Sequence, residues 1–176
     1  MKQGRLEQKG PALNQNANNA TGTHKDTAAA LENELRKFKV LYNLAVAMTG
    51  DNSLDENLCL VVEQSRHLLN ADAAFLALAE KKSGRIRMHT LSGISSPGFK
   101  DLEVAIGRGM GGRVLQTLQG VIVKDYLSDS DILHRYDDVV KAEGLKSGMA
   151  VPLQVGARNL GVLYAVSYTH LTLPTN

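Results

Sequence analysis

The sequence predicts an α/β (α+β) fold, an antiparallel sheet of five or six strands with helices on its faces. Three patterns predict it. Leu31, Leu35, Phe38, Tyr42 and Ala45 step by four and three, which puts them on one face of a helix. Ala73–Ala79 and Arg85–Leu91 flank a Lys81-Lys82-Ser83-Gly84 turn, and Ile86 and Met88 alternate with Arg85, Arg87 and His89. That is a hairpin with one wet face. A third stretch, Gly107 to Asp125, packs five glycines around a short amphipathic turn and runs into Val121-Ile122-Val123.

Met1 to Ala30 is rich in Asn, Gln, Thr and Ala. Such a segment buries too little surface to offset its conformational entropy, so residues 1–30 are expected to be disordered. They carry Lys2, Arg5, Lys9 and Lys25 against Glu7 and Asp26, which accounts for the whole net charge of +2. The rest of the chain is balanced, so bulk charge gives it no drive toward nucleic acid. No run approaches the roughly 18 apolar residues of a membrane span, and no signal segment follows Met1. With one cysteine, Cys59, among 176 residues there is no internal disulfide framework, and a soluble, cytoplasmic protein is expected.

Residues 31–50 form the amphipathic helix and its stop. Leu41, Leu44 and Met48 widen the apolar stripe, while Glu32, Glu34, Arg36, Lys37 and Lys39 lie outside it. The stripe fits either a core helix covering the sheet or the seam of a homodimer through Leu31–Met48. Ser53-Leu-Asp-Glu56 is a capping box for a second helix carrying Leu54, Leu58, Val61, Val62, Leu68 and Leu69. Cys59 sits on that helix with no basic partner on the adjacent turns and reads as a small hydrophobe. After the hairpin, Ser92–Asp101 is an exposed loop and Leu102–Ile106 a third strand.

The glycine corner is where a ligand site is expected. Gly107, Gly109 and Gly112 match G-x-G-x-x-G, with Asp125 at the end of the next strand, where a dinucleotide fold wants its ribose acid. Between Arg113 and Gln119 there is room for barely two helical turns, too short for a parallel crossover, so that reading is set aside. Tyr126–Glu143 is a polar loop closed by a short helix and Gly144. Its acidic residues Asp129, Asp131, Asp137 and Asp138 lack a calcium-loop pattern and predict no metal. Lys146–Leu153 and Leu160–Val166 are the last strands, and Pro152 restricts the first of them to an edge or an end.

The order Gly107-Arg-Gly-Met-Gly-Gly-Arg-Val-Leu-Gln-Thr-Leu-Gln-Gly-Val-Ile-Val-Lys-Asp125 resembles the central signature of GAF domains, small-molecule sensor modules of signalling proteins. Leu69–Phe75, Gly144–Leu153 and the closing strand Asn159–Tyr164 resemble the same family, over roughly Ser53 to Val166. The resemblance implies a sensor domain over 51–166, in a regulatory protein whose output module lies elsewhere. It also implies a long C-terminal helix. Residues 167–176 instead resemble translated adapter read-through, so the natural chain is expected to have been cut at about Val166.

No triad, metal or paired-carboxylate motif stands out, so catalysis is not expected. The Asn-Lys-Phe-Asp-Glu set of cyclic-nucleotide-binding relatives is absent, and Cys59 lies before the sheet, the wrong place for a bilin linkage. A GAF-fold methionine-sulfoxide reductase would need a cysteine cluster that one residue cannot supply. The expected function is binding of an unidentified small molecule, with no cofactor named; the alternative is a structural dimerisation module without a ligand. Gly107, Gly109, Gly111 and Gly112 are expected to build the corner. Arg113 and Arg135 are candidate donors to an anionic or carbonyl-bearing ligand, beside the amides of the helix N-terminus. Tyr136 and Met149 are candidate apolar lining, His134 a pH-sensitive contact, and Asp125 completes the set.

Overall fold

The computed structural model describes residues 31–169 apart from Asn33, Arg36, Lys81 and Lys82. The expected tail over 1–30 and residues 170–176 lie outside them. The chain divides into two units, Val40–Thr175 and Met1–Lys39 with Asn176.

The described residues between 31 and 48 are helical (α1). Leu35 at 60% and Phe38 at 70% are exposed on it, while Val40 and Leu44 are half-buried.

Ser53 starts α2 (Leu54–Leu68) through the capping box read from sequence. The Glu56 amide donates to Ser53 Oγ at 3.3 Å, and the Ser53 amide donates to Glu56 Oε2 at 2.7 Å. Val62 of α2 is fully buried against Ala74 and Leu76, with Leu58 and Leu78 packed around them. Cys59 is exposed on this helix.

Six strands follow: β1 (Ala73–Ala79), β2 (Arg85–Ser92), β3 (Glu103–Ala105), β4 (Val121–Val123), β5 (Ser147–Val155) and β6 (Arg158–Ser167). They form one sheet in the order β3-β2-β1-β6-β5-β4, and every neighbouring pair is antiparallel. β1 is central and buried from Ala73 to Ala77, because α2 covers one face and the main core the other. In β2, Ile86, Met88 and Thr90 are buried while Arg85, Arg87 and His89 are exposed, the alternation read from the sequence.

The helix after the glycines, α3, spans Gly109–Thr117. It starts four residues before the expected Arg113, so Gly111 and Gly112 lie inside it rather than in a loop. Their role there is close packing, because an ideal Cβ at Gly112 would run into the carbonyl of Ala105. β3 and β4, which α3 joins, lie on opposite edges of the sheet. Among the described residues there is no parallel βαβ unit, and the dinucleotide pattern is a coincidence of spacing.

α4 (Asp137–Glu143) closes at Gly144 with φ 77°, as expected for a left-handed helix end. β5 and β6 are longer than predicted and turn at Gly156. Pro152 sits beyond the last β4 pairing, Val121 with Ala150, so no strand of the sheet faces it on that side. β6 runs one residue past Val166. Asp72 accepts bonds from Ser167 Oγ and from the Tyr168 amide at 2.8 Å, which hold its carboxyl below the usual range.

Candidate functional site

Between the inner face of the sheet and a cover made by α3, α4 and the Tyr126–Tyr136 loop lies a cavity of about 50 Å³. Its floor follows from register. Phe75 on β1 pairs directly with Tyr164 on β6, their rings stack at 4.5 Å, and Phe99 meets Phe75 edge-on at 4.8 Å. Gly148 on β5 lines the cavity and is packed closely against Val166, and Met110 of α3 and Val140 of α4 close the roof.

The glycine corner shapes one wall. Gly107 and Gly109 have φ of 73° and 60°, a conformation that side chains resist. Their amides bond the carbonyls of Gly112 at 2.8 Å and Leu133 at 3.0 Å, which ties the corner to its cover. A Cβ at Gly109 would come within 2.9 Å of the Tyr136 ring. A Cβ at Gly111 would fall on the hydroxyl of Tyr164.

Three phenols line the cavity. Tyr136 Oη accepts from the Ala105 amide at 3.0 Å. Burial, reinforced by Asp137 and Tyr136, pushes the Tyr126 phenol up to about 12. Tyr164 is 3% exposed, and its hydroxyl has no hydrogen-bond partner among the described residues. Burial raises its pKa as well, followed by Tyr126 and Tyr136, so the phenol stays neutral.

A buried carboxylate fastens the cover. Glu143, at the end of α4, accepts from the amides of Ser95 at 2.8 Å and Ser96, from Ser95 Oγ, and from Tyr168 Oη at 2.9 Å. Burial pushes its carboxyl up, but these donated bonds together outweigh burial and hold it below the usual range. The clamp joins the segment before Phe99 to the helix bearing Val140, and both residues line the cavity.

Of the residues named from sequence, Tyr136, Gly109 and Gly111 line the cavity. The others stand elsewhere for identifiable reasons. Arg113 points to the surface and pairs with Asp131 at 3.3 Å. His134 is held between Asp137 Oδ1 and the Asp129 carbonyl, 3.0 Å from each, and meets Tyr126 edge-on. Arg135 is exposed. Asp125 accepts from the Leu127 amide at 3.2 Å and borders an open cleft with Ser128 and Lys146. Met149 alternates with Gly148 and Ala150 on β5, so strand pleat places it on the opposite face. Sequence reasoning passed over Tyr164, Phe75, Tyr126 and Glu143. The signal for Tyr164 was present in the Val162, Tyr164, Val166 alternation of the closing strand.

Residues 53–175 match the family model of the GAF domain, more than half of the chain, and the chain belongs to that family of signalling and sensing modules. Over 83 residues it is 36% identical to the HTH-type transcriptional activator RamA of Corynebacterium glutamicum, covering 47% of this chain and 30% of that one. The chain thus spans less than a third of that regulator's length. Among solved structures it resembles the GAF domain of a phosphoenolpyruvate-protein phosphotransferase (ptsP) from Coxiella burnetii. There the TM-score is 0.65 at 20% identity, over 78% of this chain and 82% of that one. It also resembles a free methionine-R-sulfoxide reductase from Neisseria meningitidis, solved in complex with its substrate. That likeness has a TM-score of 0.66 at 18% identity, over 81% of this chain and 78% of the other. Likeness at such identity concerns the fold.

Proposed function

We propose that this chain is the ligand-sensing part of a cytoplasmic regulatory protein, binding a small molecule in the cavity under α3 and α4 without transforming it. The observation that carries the reading is the apolar cavity itself, roofed by elements that the Glu143 clamp and the glycine corner hold in place. Within the site we assign ligand contact to Tyr136, Tyr164 and the wall at Gly109 and Gly111. Arg113, His134 and Arg135 we assign to the cover, and Asp125 to the turn that follows β4. The match to a segment of a transcriptional activator supports a regulatory setting. A reductase role is disfavoured because the only cysteine, Cys59, is exposed on α2, whose buried contacts lie on the far face of the sheet.

The exposed stripe of α1 supports self-association. Leu31, Leu35, Phe38 and Tyr42 are all at least 60% exposed, too many for a helix that works alone in water. A homodimer through this helix would cover them, and ligand binding would bias how the two copies pair. Native mass spectrometry of the purified protein tests the sensing reading. A co-purifying small molecule that is lost from a variant with the cavity filled, Val140→Phe, is the expected result. An empty protein whose stability no small molecule changes would return the chain to the class of structural dimerisation modules.

A further inference from the structure

The exposed side of α1 carries more than an a/d row. With Leu35 and Tyr42 at a, and Leu31, Phe38 and Ala45 at d, Glu34, Leu41 and Met48 fall at g. Glu32, Lys39 and Val46 fall at e. Leu41 is 61% exposed and Val46 52%, and Met48 is exposed as well, although none of them belongs to the a/d row. Val40, Leu44 and Ala47 take c and f positions on the opposite side, and all three are half-buried. The c/f side is thus the covered one, and the seam with both its flanks is left to solvent.

The flanks are complementary in one direction. In a parallel, in-register pair each g residue faces the e residue five places on in the other copy. That rule sets Glu34 against Lys39 and Leu41 against Val46, twice each across the two-fold axis. Charge meets opposite charge, and apolar meets apolar. Glu34 already holds Lys37 of its own helix at 2.7 Å, and a carboxylate has lone pairs enough for a second cation. An antiparallel pair sets g against g instead. Glu34 would then meet Leu41, Met48 or its own copy, and no cation.

We infer that α1 pairs with a second copy of itself in parallel and in register, and that Glu34–Lys39 and Leu41–Val46 contacts between the copies select that orientation. The inference rests on the self-association proposed above and adds its direction, its register and the residues that choose them. Both sensor domains then leave the paired helices from the same end, after Met48.

The test uses the full chain with Cys59→Ala, into which Leu31→Cys or Ala45→Cys is introduced singly. Positions 31 and 45 stand about 21 Å apart along the helix. In the parallel pair each cysteine faces its own copy, so both variants form disulfide-linked dimers under mild oxidation. In an antiparallel pair only a mixture of the two variants cross-links. The dissociation constant, from light scattering over a concentration series, should rise about fivefold in Lys39→Glu and in Glu34→Lys. An equimolar mixture of those two should associate at least as tightly as the parent, since the copies then carry opposite charge at these positions. Cross-linking of the cysteine mixture alone, or a dimer that links at neither position, overturns the inference while self-association stands. Lys39→Glu and Glu34→Lys associating as tightly as the parent also overturns it. A parent that is monomeric at every concentration ends both, and leaves the sensing reading untouched.

Discussion

The hydroxyl of Tyr164 occupies the space that any side chain at position 111 would need. Gly111 and Tyr164 therefore act as one fitted pair, joining the first turn of α3 to the strand beside the centre of the sheet. Gly111→Ala is expected to cost about 1–3 kcal/mol in urea unfolding, since either the ring or the helix must move. In a Tyr164→Phe background part of that cost disappears. Additive effects of the two substitutions would show that the contact is not shared.

Gly109→Ala combines two faults, a side chain at φ 60° and a Cβ against the Tyr136 ring. A loss of about 1–3 kcal/mol is expected, with the cover loosened as well as the fold weakened. Gly144→Ala is the comparison: φ there is 77° but nothing stands within contact of the added carbon, so only backbone strain is felt. Equal losses at the two positions would remove the steric part of the argument.

Glu143 makes the cover sensitive to acid. Its folded-state carboxyl titrates below the ordinary value, so its contribution is fully present above the carboxylate range. That contribution is lost as pH falls through the folded value. Glu143→Gln should cost about 1.5–3 kcal/mol at neutral pH, where the charged acceptor has the amides of Ser95 and Ser96 and the hydroxyl of Tyr168 as donors. The difference in melting temperature from the parent should shrink on titration from pH 7 to about pH 3. A constant difference across that range would mean that the charge plays no part.

How much of this was legible beforehand depends on which force set each feature. The capping box at Ser53 and Glu56, the hairpin alternation of Ile86 and Met88, and the Gly144 stop are local, and each stands where the sequence puts it. The start of α3 was misplaced because glycine disfavours helix; Gly111 and Gly112 are tolerated there for the sake of contacts with Tyr164 and Ala105. The cavity was invisible for the same reason. Its floor is laid by Phe75 and Tyr164, which face each other across β1 and β6, a pairing between residues far apart in the chain. Charged residues near the corner drew attention in the sequence, but Arg113 and His134 spend their bonds on Asp131 and Asp137.

Those bonds give a contrasting expectation. Arg113→Ala removes a surface ion pair and should change stability by less than about 1 kcal/mol. Thermal-shift responses to a panel of small molecules should be the same in this variant as in the parent. A changed response would bring Arg113 back into the ligand's surroundings.

Self-association is tested by Leu35→Glu together with Phe38→Glu, which set charges into the exposed stripe of α1. Light scattering should report a dimer for the parent and a monomer for the double variant. A monomeric parent would end this part of the proposal.

The place of β1 has a kinetic consequence. The first strand of the sheet finds its central partner in the last, and every turn and helix between them must be looped out before the two can meet. Local hairpins such as β1–β2 and β5–β6 can close early, but the main core, with Phe75 on one side of the seam and Tyr164 on the other, cannot condense until both are present. Folding should therefore be slow for a domain of this size and limited by one long-range search. During synthesis, β1 waits with one edge open until β6 has left the ribosome.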